Sequence, residues 1–167
     1  MTENIIHPDW MSLIISLTIS FVIAFLHYES LGFLTQKITK AKQVRKIRVL
    51  LTMFVITLTH LFSVFIYSLV YYSMDNHFGM GTLAGLGLNT LNFYDYIYYS
   101  LIVYTSLGFG DIYPVGGLRI LSGLETLNGL ILIAWSASYT YLVMSKYWRF
   151  EEHHASITAK QTKETNK

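Results

Sequence analysis

The sequence contains no cysteine, only two prolines and few charged residues. Without cysteine, the chain can form no disulfide, no thiol nucleophile and no thiolate metal site. Charged residues make up 13% of the 167 residues, hydrophobic residues 53%, and the mean hydropathy is +0.42. This composition is too apolar for an ordinary soluble domain of this size and indicates a protein in contact with membrane lipid. The small net charge of +2 gives no reason to expect a nucleic acid partner.

Three apolar stretches are long enough to cross the hydrocarbon core of a bilayer, which takes about 20 helical residues. Neither Pro8 nor Pro114 interrupts them. The first stretch is interpreted as a retained span because Glu3 and Asp9 stand where a signal peptide has basic residues. The third is longer than the core requires, so we expect it to tilt or to extend into the cytoplasm. The predicted fold is an all-α membrane protein with three transmembrane helices, at about residues 10–34, 49–73 and 118–148.

Lysine and arginine are concentrated on one side of these spans. Between the second and third spans there is none before Arg119, whereas the loop after the first span and the C-terminal stretch are both basic. The positive-inside rule then predicts a cell-membrane protein with its N-terminus outside and its C-terminus in the cytoplasm. The tail after Phe150 is polar and is expected to be disordered. The basic residues are Lys37, Lys40, Lys42, Arg45, Lys46 and Arg48 in the loop, and Lys146, Arg149, Lys160, Lys163 and Lys167 in the C-terminal stretch.

The segment between the second and third spans has two parts. Residues 74–91 are polar and glycine-rich, which predicts a flexible loop. Residues 92–105 are apolar and aromatic but too short to span a bilayer, which suggests a re-entrant or buried helix. Asn92 is a suitable N-cap, and Asp95 at the third helical position can accept from free backbone N–H groups there.

The short helix runs into Thr105-Ser106-Leu107-Gly108-Phe109-Gly110-Asp111-Ile112-Tyr113-Pro114. This sequence resembles the potassium-channel signature TTVGYGDxYP, and the order of span, outer loop, short helix, signature and span is also similar. The chain as a whole resembles the small bacterial three-span members of the potassium-channel superfamily. The resemblance covers about residues 49–148 and leaves the first span as an addition to the two-span pore.

The resemblance implies a homotetrameric channel that conducts K⁺ passively, with no enzymatic activity and no cofactor. Ion binding falls to the backbone carbonyls of Ser106, Leu107, Gly108 and Phe109, with the Ser106 hydroxyl at the inner end. Rings of such carbonyls replace the water around an ion when four chains surround one axis. Glycine at positions 108 and 110 allows the positive φ angles that turn successive carbonyls the same way. The side chains of Leu107 and Phe109 are expected to pack against the short helix.

Residues flanking the filter carry the expected supporting roles. The resemblance implies support from Thr105, Gly110, Asp111 and Tyr99, where Tyr99 stands at a position that many relatives fill with tryptophan. Phe109 lacks the hydroxyl that braces the filter in the family, and Leu107 is less stiff than valine. A nonselective monovalent cation channel is therefore the alternative function.

The predicted organisation follows from these assignments. It comprises an N-terminal transmembrane helix (1–36), a basic cytoplasmic loop (37–48), a pore domain (49–148) and a cytoplasmic tail (149–167). The pore domain is divided into outer helix 49–73, outer loop 74–91, pore helix 92–105, filter 106–111 and inner helix 118–148.

Ionisable residues inside membrane spans are costly and mark functional candidates. Glu125 is a candidate for supporting the filter or sensing protons through His60, or for joining helices by buried hydrogen bonds. Gly129 is a candidate hinge or packing position. For His27 and Glu29 we favour a buried, hydrogen-bonded structural role. Glu125, Asn128, Leu132 and Ser136 recur at helical spacing and predict one face of the third span.

Two further alternatives come from other classes of protein. His27, Glu29 and His60 could belong to an intramembrane metal or redox protein, although a spacing of two does not place ligands on one helix face. The chain could also be an accessory subunit of another pore. No span carries arginine at every third position, so a voltage sensor is not indicated.

Overall fold

A computed structural model describes residues 9–40, 45–85 and 90–165 of the chain, and side chains within 10–37, 47–85 and 90–145. Its elements, in chain order, are α1 (Asp9–Lys40), α2 (Arg45–Asn76), β1 (Gly81–Gly85), α3 (Phe93–Tyr104), β2 (Ile112–Gly116) and α4 (Leu118–Thr165). Predictions for residues 1–8, 41–44, 86–89 and 166–167 lie outside this part.

Three of the helices are long and apolar enough to cross a membrane, as the sequence predicts. These stretches are Trp10–Lys37, Ile47–Asn76 and Leu118–Ser145, with mean hydropathies of 2.0, 2.3 and 1.4 respectively. Their outward faces are apolar, which suits lipid as the surrounding solvent. Residue boundaries of the helices extend beyond the predicted spans because polar residues at their ends continue the helical hydrogen bonding.

Two expectations are wrong, one about the outer loop and one about the C-terminal tail. The predicted flexible loop 74–91 contains the end of α2 and strand β1, which pairs antiparallel with β2 from Gly81↔Gly116 to Gly85↔Ile112. The glycines of this segment therefore belong to a short strand whose backbone lies close to that of its partner strand. The tail, expected to be disordered after Phe150, continues α4 as far as Thr165. Its alanine, glutamate, lysine and glutamine residues favour helix, which outweighs their low hydrophobicity.

The short helix α3 lies at the centre of the packing. It packs against both α2 and α4, and α1 packs chiefly along α4. The buried core contains the tyrosines Tyr67, Tyr71, Tyr96, Tyr99 and Tyr104, whose hydroxyls bond to neighbouring helices. Buried tyrosine combines large apolar contact with a hydroxyl that needs a partner. The core is thus built around α3 and holds it through specific polar contacts.

The β1–β2 pair and α3 are joined at the end of α2. Asp75 Oδ2 accepts hydrogen bonds from the Tyr96 hydroxyl at 2.8 Å, the Thr82 hydroxyl at 3.0 Å and the Leu83 backbone N–H at 3.3 Å. Burial and the Asp75 carboxylate raise the pKa of Tyr96 to about 12, because both disfavour the phenolate. One carboxylate therefore fixes β1 and the start of α3 relative to α2.

Candidate functional site

The start of α3 has the cap that the sequence predicts. Asn92 has extended backbone angles and precedes the first helical residue, Phe93. The Asp95 carboxylate accepts a 2.7 Å hydrogen bond from the Asn92 backbone N–H. An acidic residue in the first turn also favours the positive end of the helix dipole. These contacts fix where α3 begins.

The two ends of α3 lie at different levels along the long helices. At its start, Phe93 stacks edge-on against Tyr72 near the end of α2. At its end, the Tyr104 hydroxyl bonds to His60 Nδ1 at 2.8 Å, near the middle of the Ile47–Asn76 stretch. The Tyr104 carbonyl also lies against Gly129, which is about 16 Å from the start of α4 at a rise of 1.5 Å per residue. The helix therefore runs from the end of α2 to about half its length.

Gly129 permits this approach of α4 to α3. A Cβ at position 129 would clash with the Tyr104 carbonyl oxygen. Nearby, Thr126 Oγ1 lies 3.3 Å from the Val103 carbonyl oxygen. Of the two roles considered for Gly129, hinge or packing, the structure supplies direct contacts for packing.

A Schellman motif ends α3. The Leu107 N–H donates to the Ile102 carbonyl at 2.8 Å and the Ser106 N–H to the Val103 carbonyl at 2.9 Å. Ser106 has φ of 60°, the left-handed conformation this motif requires and that glycine usually supplies. Thr105 is the C-cap, and its hydroxyl donates to the Leu101 carbonyl at 2.7 Å. The local sequence gave no sign that a serine would take this conformation.

The segment after α3 alternates in backbone conformation. Positive φ occurs at Ser106 (60°), Gly108 (51°) and Gly110 (80°) but not at Leu107 or Phe109. Alternation of this kind turns successive peptide carbonyls towards the same side, whereas an ordinary extended strand points them to opposite sides. The glycine conformations are those that the sequence predicts, and Ser106 adds a third.

This segment is exposed in the single chain. Leu107 is 58% and Phe109 64% exposed, so a single chain leaves more than half of each side chain uncovered. Their expected packing against the short helix stays a prediction. Asp111, at the far end, accepts a 2.8 Å hydrogen bond from the Tyr98 hydroxyl, which raises the pKa of Tyr98. That bond ties the end of the segment back to α3.

Behind α3 lies a set of buried polar residues that we name the Glu125 cluster. Glu125 is fully buried; its Oε2 accepts from the Tyr71 hydroxyl at 2.6 Å, and its Oε1 lies 2.6 Å from Ser100 Oγ. Ser122 lies 2.7 Å from the Tyr99 hydroxyl and 3.1 Å from that of Tyr71. The five residues come from three helices and form a continuous chain of contacts, from Ser100 through Glu125, Tyr71 and Ser122 to Tyr99. Tyr99 thus faces this cluster, on the opposite side of α3 from solvent.

A second polar set, the His60 cluster, joins α1 to α2 and α4. Ser136 Oγ lies 2.8 Å from His27 Nε2 and 3.1 Å from His60 Nε2, and the two imidazole rings are 4.9 Å apart. His27 is therefore buried and hydrogen-bonded through Nε2, as the structural role that we favoured requires. Glu29 does not have that role, since it is exposed. The described contacts of Glu125 and His60 belong to separate clusters, so the expected path from Glu125 through His60 is not direct.

The geometry does not form a metal centre from these groups. Within the described residues, no three histidine or acidic side chains approach closely enough to hold an ion. His27 and His60 both point to a serine hydroxyl, and Glu29 lies on another face of α1.

Sequence reasoning found some of the buried polar residues and missed others. Glu125, Asn128, Leu132 and Ser136 lie on one buried face of α4, as their spacing predicts. The hydroxyl partners Tyr71 and Ser100 of Glu125, and Tyr67 of Asn128, were not singled out. Serine and tyrosine are common in apolar helices, and only the packing shows which hydroxyls turn inward.

Comparison with known proteins assigns the chain to a class. The sequence model of a family described as ion channel matches residues 54–146, more than half of the chain. The match spans most of α2, all of α3, the exposed segment and the membrane stretch of α4. The chain therefore belongs to this ion channel family, and its three apolar helices make it a membrane protein. No curated protein and no solved structure matches it.

Proposed function

We propose that the chain is one subunit of a homotetrameric, potassium-selective channel that conducts passively across the cell membrane. The carbonyls of Ser106, Leu107, Gly108 and Phe109 bind K⁺, and the Ser106 hydroxyl closes the inner end. Thr105, Gly110, Asp111 and Tyr99 support this filter. The observation that carries the proposal is the alternating backbone of the exposed segment 106–110 in a chain of the ion channel family.

The position of α3 supports a re-entrant pore helix. The helix starts near the end of α2, stops at about half its length, and the chain then returns as β2 to pair with β1 beside the same end. Irregular backbone at that depth is unfavourable against lipid and is tolerated when it is buried in protein or lines a wet cavity. Four copies around one axis would provide both conditions for the exposed segment.

Charge also favours a cation at this place. The C-terminal end of α3 carries the negative end of a helix dipole and stops at the inner end of the filter. With the basic loop and tail in the cytoplasm, as the positive-inside rule predicts, α3 descends from outside and its negative end faces the interior of the membrane. A permeating cation is stabilised there as it leaves bulk water.

The nonselective cation channel is a second candidate because of Phe109 and Tyr99. Phe109 has no hydroxyl, and the Tyr99 hydroxyl already contacts Ser122 within its own chain. A filter without hydroxyl bracing is freer to adapt its carbonyl spacing to a smaller ion. Sodium and potassium flux measured on the same liposomes separates the two candidates.

The test compares two glycines of similar backbone and surroundings. Gly108 has φ of +51° and Gly79 of +57°, and a Cβ at either would meet nothing within 4 Å. Alanine at positive φ costs about 1–2 kcal/mol at each site. We expect Gly108→Ala to abolish selective potassium flux in liposomes and Gly79→Ala to retain it. Equal flux in both variants and wild type, or a purified complex smaller than four 19.2 kDa chains, would contradict the proposal.

A further inference from the structure

We infer that Glu125 is a positioning residue for the filter, and that it acts as a neutral, protonated hydrogen-bonding group that holds α3 from behind. The inference rests on the proposed function and goes further, since it assigns the selectivity of the pore partly to a carboxyl that does not contact the ion. Its basis is the geometry of the Glu125 cluster.

Counting protons at Ser100 gives the protonation state. Ser100 Oγ lies 2.6 Å from Glu125 Oε1 and 3.0 Å from the Val64 carbonyl oxygen. With an ionised carboxylate both neighbours are acceptors, and one hydroxyl proton cannot serve two of them. With a protonated carboxyl, Glu125 donates to Ser100, Ser100 donates to Val64, and Tyr71 donates to the other carboxyl oxygen. Each contact then has its own proton.

The surroundings of the carboxyl agree with that count. Glu125 is fully buried on a membrane-spanning stretch, and its described partners are the neutral hydroxyls of Tyr71 and Ser100. A charge at such a place needs a counter-ion to offset its desolvation. A neutral acid needs only hydrogen-bond partners, and it has two.

The cluster controls where α3 lies. Through Ser100, Glu125 joins α3 to α2 and α4 together, and Ser122 does the same for the adjacent Tyr99. Both α3 residues precede Ser106 by less than two helical turns. The end of α3 sets the position of the first filter carbonyls, since Leu107 and Gly108 both donate N–H bonds to the Ile102 carbonyl. A shift of α3 is therefore transmitted to the filter.

Asn128 offers a matched control on the same face of α4. It is buried three residues after Glu125 and bonds to the Ser20 carbonyl on α1 and the Tyr67 hydroxyl on α2, with no described bond to α3. Glu125→Ala and Asn128→Ala both remove a buried polar side chain that joins helices. Only the first releases α3.

The experiment measures the ratio of potassium to sodium flux in liposomes for the purified full chain. We expect Glu125→Ala to lower the ratio by about tenfold, the loss of a buried hydrogen-bonding contact. Glu125→Gln, which can donate to Ser100 and accept from Tyr71, should stay within about threefold of wild type. Asn128→Ala should keep the wild-type ratio even if its thermal stability falls.

The outcomes separate this inference from the proposed function. If wild type does not conduct, or Gly108→Ala conducts like wild type, the proposed function fails first. If wild type conducts without selectivity, the same variants are compared on total cation flux, with the same expected order. Equal ratios in Glu125→Ala and Asn128→Ala would overturn the positioning role, and a Gln variant as poor as the Ala variant would overturn the neutral state. Should Glu125→Ala fail to assemble, Ser100→Ala replaces it, with a smaller loss expected and an unchanged ratio counting against the inference.

Discussion

Helix α3 and the segment that follows it differ sharply in how far one chain completes their surroundings. In α3 the side chains of Tyr96, Tyr99, Ser100, Ile102 and Tyr104 are buried against α2 and α4. From Thr105 to Asp111 every residue is exposed. One chain therefore builds and holds the scaffold but leaves the candidate ion-binding segment without a facing surface.

Because of this difference, the two regions can meet different structural requirements. The scaffold needs tight packing and paired hydroxyls, since an unpaired polar group in the interior costs about 1–3 kcal/mol. As the proposed filter, the exposed segment needs carbonyl oxygens that are free to turn towards an ion. A fully packed environment would leave no room for that turn. Substitutions in the scaffold should act on stability and assembly, and on ion discrimination where they shift α3, whereas substitutions in the segment should act on ion discrimination directly.

The largest expected effect comes from breaking the scaffold at Gly129. In Gly129→Ala the added methyl overlaps the Tyr104 carbonyl, so α3 must move, at an expected cost of about 1–3 kcal/mol. Thermal unfolding of the purified complex measures the loss. Gly123→Ala is the control, because position 123 lies on the same helix with no atom within 4 Å of a Cβ and should gain about 0.5–1 kcal/mol from helix propensity. Similar melting temperatures for the two variants would show that α3 is not held at Gly129.

A smaller effect of opposite sign is expected at Ser106, inside the exposed segment. Ser106→Gly relieves a left-handed serine and should stabilise the chain by about 1 kcal/mol. It also removes the hydroxyl proposed for the inner ion site, so potassium selectivity should fall while thermal stability rises. Ser106→Ala removes the same hydroxyl without relieving the backbone, and it should lose selectivity with no gain in stability. A Ser106→Gly variant that is both more stable and as selective as wild type would show that the hydroxyl does not contribute to the ion site.

Much of the scaffold could be predicted from the sequence, for a physical reason. Membrane spans follow from length and hydropathy, and the cap of α3 follows from Asn92 and Asp95, whose contacts lie within four residues. The family resemblance identified the exposed segment, and glycine at 108 and 110 foretold two of its three positive φ angles.

Long-range contacts account for what the sequence did not predict. The pairing of β1 with β2, the inward turn of Tyr71 and Ser100, and the approach of Gly129 to Tyr104 all join residues far apart in the chain. The packing of Leu107 and Phe109 was inferred from the family resemblance and stays a prediction. Local pattern indicates which residues can be buried but not which partner each will meet.

The smallest expected effect lies at the contact between scaffold and segment. Within the described residues, the hydrogen bond from Tyr98 to Asp111 is the only one that joins an α3 side chain to a side chain of the exposed segment. Because Tyr98 is exposed, water can replace its partner, and Tyr98→Phe should leave the melting temperature close to that of wild type. Its effect should instead appear in potassium flux, as a decline of roughly twofold when the end of the segment loses its restraint. Tyr94→Phe, on the same helix but 81% exposed, is the control and should leave flux unchanged. If the double variant Tyr98→Phe/Asp111→Asn lowers flux by the product of the two single effects, the bond between these two side chains does not couple the regions.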